Sequence, residues 1–294
     1  MTYFIQLLLN AVALGSIYAL TAIGYSLVYG VLELVNFAHG TVYMLGAFAY
    51  FVLYQSAHLP WYAAMLLSLL ICGFIGYAYD TVALKPLRKA NLPKFTGLIC
   101  TMGISIVLQN VVFVIYGSET RMYPTFFDGK FLTLGNVTFS WMNLLIVVVS
   151  AIALLMLTLF IQKTRAGIAL RAVAQNSEAA GIMGINVNLM VSLTFIIGSA
   201  MAALSGIFSC MSFRSLDITV GTKIAVKAFA ATVLGGIGNL GGAVLGAFIV
   251  AIAETYTAGY LSSDMRDLAA FVIMILILFI KPNGLFGKPV QKKV

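Results

Sequence analysis

Long apolar runs separated by short polar segments dominate this 294-residue sequence. The first run, Phe4–Tyr29, is long enough at 1.5 Å per residue to cross about 30 Å of hydrocarbon as an α-helix. Hydrophobic residues make up 62% of the chain, whereas soluble proteins contain roughly 45–50%. The runs are also too long for the alternating strands of a β-barrel. We therefore predict an all-α polytopic membrane protein in a lipid bilayer, with residues 1–294 forming one domain.

Basic residues are concentrated in three polar segments, which set the predicted topology. Residues 85–94, the segment Lys163–Asn188 and the tail Lys281–Val294 together hold 11 of the 17 basic residues. Positive charges mark cytoplasmic loops, so we predict about nine crossings with the N-terminus outside and the C-terminus in the cytoplasm. The same rule explains the net charge of +8 without a nucleic-acid partner. No Lys or Arg precedes Lys85, so the first run is expected to remain as a span rather than act as a cleaved signal peptide.

The runs toward the C-terminus are shorter than the others. Thr222–Leu234 has only about 13 residues, which is brief for a full crossing. If this run were a half-helix that returned to the same side, the tail would lie outside. We count it as a crossing, together with Ala243–Tyr260 and Leu268–Ile280.

The segment Lys163–Asn188 is predicted to contain a loop followed by a short capped helix. Asn176 or Ser177 can accept a hydrogen bond from an unpaired N–H at the helix start. Glu178 then lies in the first turn, where the helix dipole favours a negative charge. Gly184 is suited to end the helix, because glycine adopts the left-handed conformation without steric cost. An ordinary cytoplasmic connector fits this pattern equally well.

A weak internal repeat relates two polar breaks that each open an apolar helix. The aligned pairs are Gly40-Thr41 with Gly221-Thr222, Asn36 with Asp217, and Phe37 with Ile218. On the predicted topology one break lies near the cytoplasmic side and the other near the external side. Inverted repeats with broken helices are common in transporters, so we predict that the first four spans repeat as the last four. Chance similarity between apolar sequences is the alternative.

Four stretches of the sequence resemble ABC-importer permeases. Glu178-Ala179-Ala180, followed by Gly184, resembles the EAA loop, a short helix that docks into a groove of the ATPase subunit. The other three resemble the H-type permease subunit of branched-chain amino acid importers. They are SLVYGVLELVNFAHG (Ser26–Gly40), KAFAATVLGGIGNLGGAVLGAF (Lys227–Phe248) and KPNGLFG (Lys281–Gly287). The four stretches in this order are specific, and the similarity runs nearly end to end.

This resemblance implies an ABC-importer permease fold in the inner (plasma) membrane of a prokaryote, in a subunit that is not itself an enzyme. The implied partners are a related M-type permease subunit or a second copy, two ATP-binding subunits, and a periplasmic or extracellular binding protein that delivers leucine, isoleucine or valine. ATP and Mg²⁺ would bind to the ATPase subunits, so no cofactor is expected in this chain. A GxxxxGK[ST] pattern and a metal-ligand cluster are absent from the sequence.

Two groups of residues are candidates for function. The coupling group, assigned by the resemblance to the segment 163–188, comprises Arg165, Arg171, Glu178, Ala179, Ala180 and Gly184. The pathway group comprises Asn36, Phe37, His39, Gly40, Thr41, Asp217, Ile218, Gly221 and Thr222. Polar groups at membrane depth usually face protein or water, and the internal repeat together with the family resemblance favours the two breaks as walls of the translocation pathway. The alternative is that their side chains only cap and hydrogen-bond the breaks.

Two other functions are compatible with the sequence. A permease for urea or short amides in the same family would resemble this chain. An ion-coupled secondary carrier would use Glu254 and His39, although a carboxylate without a second titratable partner is a poor proton relay. The glycines of residues 235–242 lack the Lys-Ser/Thr of a phosphate loop. They predict instead a tight turn, with Gly242 and Gly246 packed against a neighbouring helix.

Overall fold

Helices form most of the computed structural model, which describes residues 2–90, 92–125, 131–134 and 137–287. The helices are α1 (Thr2–Leu32), α2 (Ala38–Phe51), α3 (Trp61–Tyr79), α4 (Lys85–Lys89), α5 (Lys94–Tyr116), α6 (Trp141–Lys163), α7 (Arg165–Gln175), α8 (Ser177–Ile182), α9 (Val187–Phe213), α10 (Val220–Gly235), α11 (Leu240–Tyr260) and α12 (Arg266–Ile280). Residues 288–294 of the predicted basic tail lie outside the described residues. The prediction of an all-α polytopic membrane protein is confirmed.

Six helices of the described chain are long and apolar enough to cross a membrane. They are α1, the continuous helix Trp61–Lys89, α5, α6, α9 and α11. The continuous helix joins α3 to α4 through a π-helical turn, Asp80–Leu84. Three further apolar helices, α2, α10 and α12, have 14, 16 and 15 residues and are shorter than a full crossing.

Helix α1 forms the centre of the bundle and packs against α6, α9, α10 and α11. Small residues allow close approach at these crossings. A Cβ added to Gly15 would overlap the ring of Phe248 on α11, and one added to Gly24 would overlap the ring of His39 on α2. Helix α9 fills a second central position against α1, α2 and α3. Helix α5 lies at the periphery, where most of its apolar side chains are exposed.

Contacts between the loops define two ends of the bundle. At one end, β1 (Arg121–Met122) pairs with β4 (Ser215–Leu216), and β2 (Phe131–Leu134) pairs with β3 (Val137–Ser140), both antiparallel. At the opposite end, Lys94 forms an ion pair with Glu33 at the C-terminal end of α1. Helices α4, α7 and α8 lie at that same end around a cavity of about 580 Å³. We call it the basic end.

The stretch Lys281–Gly287 closes the C-terminal end of α10. The N–H groups of Leu285 and Phe286 donate to the carbonyl oxygens of Leu234 and Gly235, at 2.8 and 3.1 Å. The last carbonyls of a helix have no partner within the helix. The C-terminal stretch therefore supplies hydrogen bonds that α10 cannot make by itself.

The glycines between α10 and α11 form the tight turn that the sequence predicts. Gly236 has a φ of +102°, which side chains other than glycine rarely adopt. A Cβ on Gly242 would overlap the carbonyl of Gly235, and one on Gly246 would overlap that of Ala231. The predicted close packing of Gly242 and Gly246 against the neighbouring helix is confirmed.

Candidate functional site

The polar segment after α6 contains two helices, where the sequence predicts a loop and one helix. Helix α7 occupies Arg165–Gln175, so the predicted loop is wrong for this part. The Thr164 hydroxyl accepts a hydrogen bond from the Gly167 N–H at 3.0 Å and caps the helix start. Leu170 and Val173 are buried against the bundle, whereas the candidates Arg165 and Arg171 are exposed. This amphipathic spacing explains why the segment is helical.

Helix α8 begins and ends at the predicted residues. The Asn176 side chain accepts a hydrogen bond from the Ala179 N–H at 2.9 Å, and Glu178 lies in the first turn. Gly184 follows the helix with a φ of +83°. The predicted cap, the acidic first turn and the glycine stop are therefore confirmed.

The two faces of α8 have different surroundings. Ala180 is buried in a small apolar cluster with Leu170, Val173 and Met190, which ties α8 to α7 and to the first turn of α9. The opposite side exposes Glu178, Ala179 and two large apolar residues, Ile182 (87% exposed) and Met183 (81% exposed). The sequence analysis missed this pair. In the sequence the pair can be recognised as two adjacent large apolar residues inside an otherwise polar segment.

Buried hydrogen bonds hold the first break. Asn36 donates from Nδ2 to the Tyr79 hydroxyl at 2.9 Å, and its Oδ1 accepts from the Ala38 N–H at 3.1 Å. The ring Nε2 of His39 lies 3.2 Å from the carbonyl oxygen of Thr21 in α1. Asn36 and His39 are both buried. Their contacts therefore match the structural role that the sequence left open as an alternative.

The second break is more exposed. The Asp217 carboxylate accepts hydrogen bonds from the N–H and hydroxyl of Thr219, at 2.7 and 2.6 Å. These bonds shape the turn that precedes α10. The Thr222 hydroxyl donates to the Thr219 carbonyl at 2.9 Å, and Thr222 is exposed. Phe37 of the first break is likewise 44% exposed.

The two breaks meet at a pair of glycines. A Cβ on Gly221 would overlap the carbonyl oxygen of Gly40, and a Cβ on Gly40 would overlap Ala225 and the carbonyl of Gly221. The two breaks approach this meeting point from opposite ends of the bundle, since Glu33 of the first pairs with Lys94 at the basic end and the second follows β4 at the other end. Each chain segment folds back into the bundle before its helix begins, because His39 reaches Thr21 in the interior of α1. Helices α2 and α10 therefore start side by side.

Three polar residues of α5 bind both breaks. Thr101, Ser105 and Gln109 are spaced four residues apart and so lie on one helix face. The Thr101 hydroxyl accepts a hydrogen bond from the Phe37 N–H at 3.3 Å, and Ser105 shares one with the Thr41 hydroxyl at 2.6 Å. Gln109 donates to the Ile218 carbonyl at 3.1 Å. Each of these contacts joins a predicted pathway residue to this stripe. The regular spacing of polar residues within an apolar run is a signal that the sequence analysis did not use.

Glu254 belongs to a buried charged cluster. Lys227 lies 2.6 Å from its Oε1 and Arg266 lies 3.1 Å from the same oxygen, while the Tyr18 hydroxyl donates to Oε2 at 2.8 Å. Lys227 also contacts Asp267 at 2.7 Å. The expectation that Glu254 lacks a titratable partner is therefore wrong. Lys227 interrupts an apolar run, and the sequence analysis gave it no role.

Comparison with known proteins agrees with this architecture. The chain is 37% identical over 304 residues to the high-affinity branched-chain amino acid transport system permease protein BraD of Pseudomonas aeruginosa, covering 99% of this chain and 98% of that protein. Identity to the LivH permease protein of the same description from Escherichia coli is 38%, with the same coverage. Identity to the probable branched-chain amino acid transport permease LivH of Methanocaldococcus jannaschii is 28%, over 96% of this chain and 92% of that protein.

A solved structure shares the fold. A chain of PsaBC from Streptococcus pneumoniae in complex with Fab aligns with 97% of this chain and 94% of its own length, at a TM-score of 0.51 and 13% identity. A family model described as branched-chain amino acid transport system / permease component matches residues 7–280. With that model covering nearly the whole chain, the protein belongs to the family of branched-chain amino acid transport system permease components.

Proposed function

We propose that this chain is the permease subunit of an ATP-driven importer that moves leucine, isoleucine and valine into the cytoplasm. The names of relatives that match it end to end support this substrate class. The observation that carries the mechanism is α8, a short capped helix at the basic end. It is anchored through Ala180 and exposes Ile182 and Met183 away from the bundle.

The proposed topology has nine crossings, with the N-terminus outside and the C-terminus in the cytoplasm. Support comes from the basic end, which gathers Lys94, Arg88 and helices α7 and α8. Positive residues favour the cytoplasmic side. Each of the short helices α2 and α10 counts as one crossing together with the break that precedes it. The N-terminal turns of α2 and α10 pack against each other inside the bundle, so each break supplies the length that its helix lacks.

An inverted repeat accounts for the packing of the helices. Under the proposed alignment, α1, α2, α3 and α5 correspond to α9, α10, α11 and α12. Helix α1 packs on α11 as α9 packs on α3, and α2 packs on α5 as α10 packs on α12. The aligned residues Gly40 and Gly221 touch, as expected for equivalent positions close to a pseudo-two-fold axis. These correspondences support the repeat.

The proposed pathway follows the side of the bundle where the two breaks meet α5. Phe37 and Thr222 are exposed there, and the polar stripe of α5 holds the backbone on both sides of the meeting point. A second permease subunit, either an M-type relative or another copy, would close the pathway from the other side. An apolar wall such as Phe37 suits an aliphatic side chain, and selectivity can reside in an external binding protein.

The energy source in this proposal is a pair of ATP-binding subunits at the basic end, where ATP and Mg²⁺ would bind. Ile182 and Met183 would enter a groove of the ATPase, with Glu178, Arg165 and Arg171 providing charges around the contact. Burying a Met or Ile side chain typically contributes about 1.5–3 kcal/mol. Such a contact would let ATPase closure move α8.

The experiment compares Met183→Asp with Met122→Asp in an affinity-tagged chain produced with its transport partners. The two methionines are 81% and 86% exposed but lie at opposite ends of the bundle. We expect Met183→Asp to reduce ATPase copurification and uptake of labelled leucine at least about tenfold, because it removes apolar burial and adds a desolvated charge. Met122→Asp is expected to retain both.

Three results would contradict the proposal. Normal copurification and uptake for Met183→Asp would remove α8 as the ATPase contact. Uptake of urea or a short amide that exceeds uptake of leucine, isoleucine and valine would overturn the substrate class. Accumulation of solute by the purified chain alone, without ATPase subunits, would instead support an ion-coupled carrier.

A further inference from the structure

A buried carboxylate joins three helices beside the proposed coupling segment. Asp80 lies in the π-helical turn after α3 and is fully buried. Arg88 donates from Nη1 to Oδ1 at 2.6 Å and from Nη2 to Oδ2 at 3.3 Å. The Ser192 hydroxyl of α9 donates to Oδ2 at 2.6 Å. Asp80 thereby links α3, α4 and α9, and π-helical turns are frequent at functional sites.

The contacts of this carboxylate continue toward α8. Ser192 lies in the second turn of α9, two residues after Met190. Met190 packs with Ala180 of α8 and with two residues of α7 in the apolar cluster at the basic end. The linker between α8 and α9 is also short, because α8 ends at Ile182 and α9 begins at Val187. A displacement of α8 therefore acts directly on the turn of α9 that holds Asp80.

The contacts also continue toward the first break. Tyr79 precedes Asp80, and its hydroxyl accepts the hydrogen bond from Asn36. The Tyr79 ring packs edge-on against Phe195 of α9, with ring centroids 5.3 Å apart. Phe195 is three residues after Ser192, on the same side of α9. Asp80 and Tyr79 therefore fix one face of α9 to the end of α3 that holds Asn36.

We propose that Asp80 is a positioning residue that transmits the movement of α8 to the first break through Ser192 and Tyr79. A buried carboxylate cannot release a hydrogen-bond donor without a large desolvation cost, so α9 and the end of α3 move together. Tyr79 then carries Asn36, and with it the start of α2 where the two breaks meet. This inference rests on the proposed function, because it requires α8 to be driven by an ATPase.

The test uses the complete reconstituted transporter and removes a single hydroxyl with Ser192→Ala. Ser68→Ala is the matched control, because Ser68 is also buried but, within the described part of the chain, its hydroxyl bonds only the Ala64 carbonyl of the same helix. Asp80→Asn would test the carboxylate itself but risks misfolding. The inference is therefore judged on Ser192→Ala, which removes the hydroxyl, and Ser192→Thr, which keeps it. The measurements are ATP hydrolysed per leucine imported, basal ATPase rate and melting temperature.

We expect Ser192→Ala to raise the ATP hydrolysed per leucine imported about tenfold, the scale of one hydrogen bond to a charged group. The basal ATPase rate should match that of the wild type, whereas the melting temperature should fall, because the buried Asp80 loses one of its donors. Ser192→Thr, which keeps the hydroxyl, should restore the ratio, and Ser68→Ala should leave it unchanged.

Three outcomes would overturn the inference. They are an unchanged ratio in Ser192→Ala, an equal rise in Ser68→Ala, and a rise that Ser192→Thr does not reverse. Failure of the proposed function would look different, because the wild-type complex itself would then show no ATP-dependent uptake. The two ideas are therefore tested separately in one experiment.

Discussion

The charged cluster around Glu254 predicts a large and unequal response to charge removal. Glu254 is 1% exposed, accepts hydrogen bonds from Lys227 and the Tyr18 hydroxyl, and lies 3.1 Å from Arg266 Nε in an ion pair. Breaking a buried ion pair by removing one partner typically costs about 3–5 kcal/mol. Glu254→Gln removes the negative charge that faces both cations and the Tyr18 hydroxyl. We therefore expect it to lower the free energy of unfolding by about 3–5 kcal/mol.

Lys227→Met should cost less, because it leaves Glu254 with the hydrogen bond from Tyr18 and the opposite charge of Arg266. Loss of one hydrogen bond between charged groups costs about 1.5–3 kcal/mol, and we expect a change of that size. The double variant Lys227→Met/Glu254→Gln should cost less than the two single costs added together, since the second substitution removes a charge that has already lost its partner. The expected interaction between the two sites is about 1.5–3 kcal/mol.

The assay is denaturant unfolding of the purified protein in mild detergent, with all four members of the cycle measured side by side. Lys223→Met is the control, because Lys223 lies one turn away on α10 but is exposed. Surface substitutions usually change stability by less than about 0.5 kcal/mol. Additive costs for the two single variants, or a Lys223→Met effect as large as that of Lys227→Met, would refute the reasoning.

Three further predictions follow from individual contacts. Gly221→Ala should lower the melting temperature and uptake, because overpacking at the meeting point of the breaks costs about 1–3 kcal/mol; Gly103→Ala, where an added Cβ meets no atom of the described residues within 4 Å, should change neither. Gln109→Leu should slow uptake several-fold by leaving a carbonyl of the second break without its donor, whereas Asn110→Leu, which loses a bond within α5 only, should not. Asn176→Ala should destabilise α8 by about 1 kcal/mol, seen as faster amide exchange in that helix.

Local features of this chain follow from the sequence because they depend on neighbours along the chain. The cap at Asn176 and the stop at Gly184 need only the chemistry of those residues and the hydrogen-bond geometry of a helix end. The first long span needs only an apolar run of sufficient length. Helix α7 was not predicted from the sequence, because its apolar face is short and the polar residues around it dominate the pattern of the segment.

Tertiary contacts set the features that the sequence did not predict. The meeting of Gly40 and Gly221 depends on how far each break folds back into the bundle, and apolar patterning carries no information on that depth. The pairing of Lys227 with Glu254 joins two helices, so neither residue predicts it alone. The spacing of four residues between the polar side chains of α5 is visible in the sequence. Their hydrogen-bond partners on the two breaks are known only from the structure.

The closure of α10 by Leu285 and Phe286 has a consequence for biosynthesis. The ribosome makes the acceptor carbonyls about fifty residues before their donors, so the C-terminal end of α10 lacks these hydrogen bonds while α11 and α12 are being synthesised. A stop codon placed between Ile280 and Leu285 would remove none of the twelve helices of the described chain, yet it would leave the carbonyls of Leu234 and Gly235 without these donors. Reporter tags are therefore better placed beyond Gly287 than within the stretch itself.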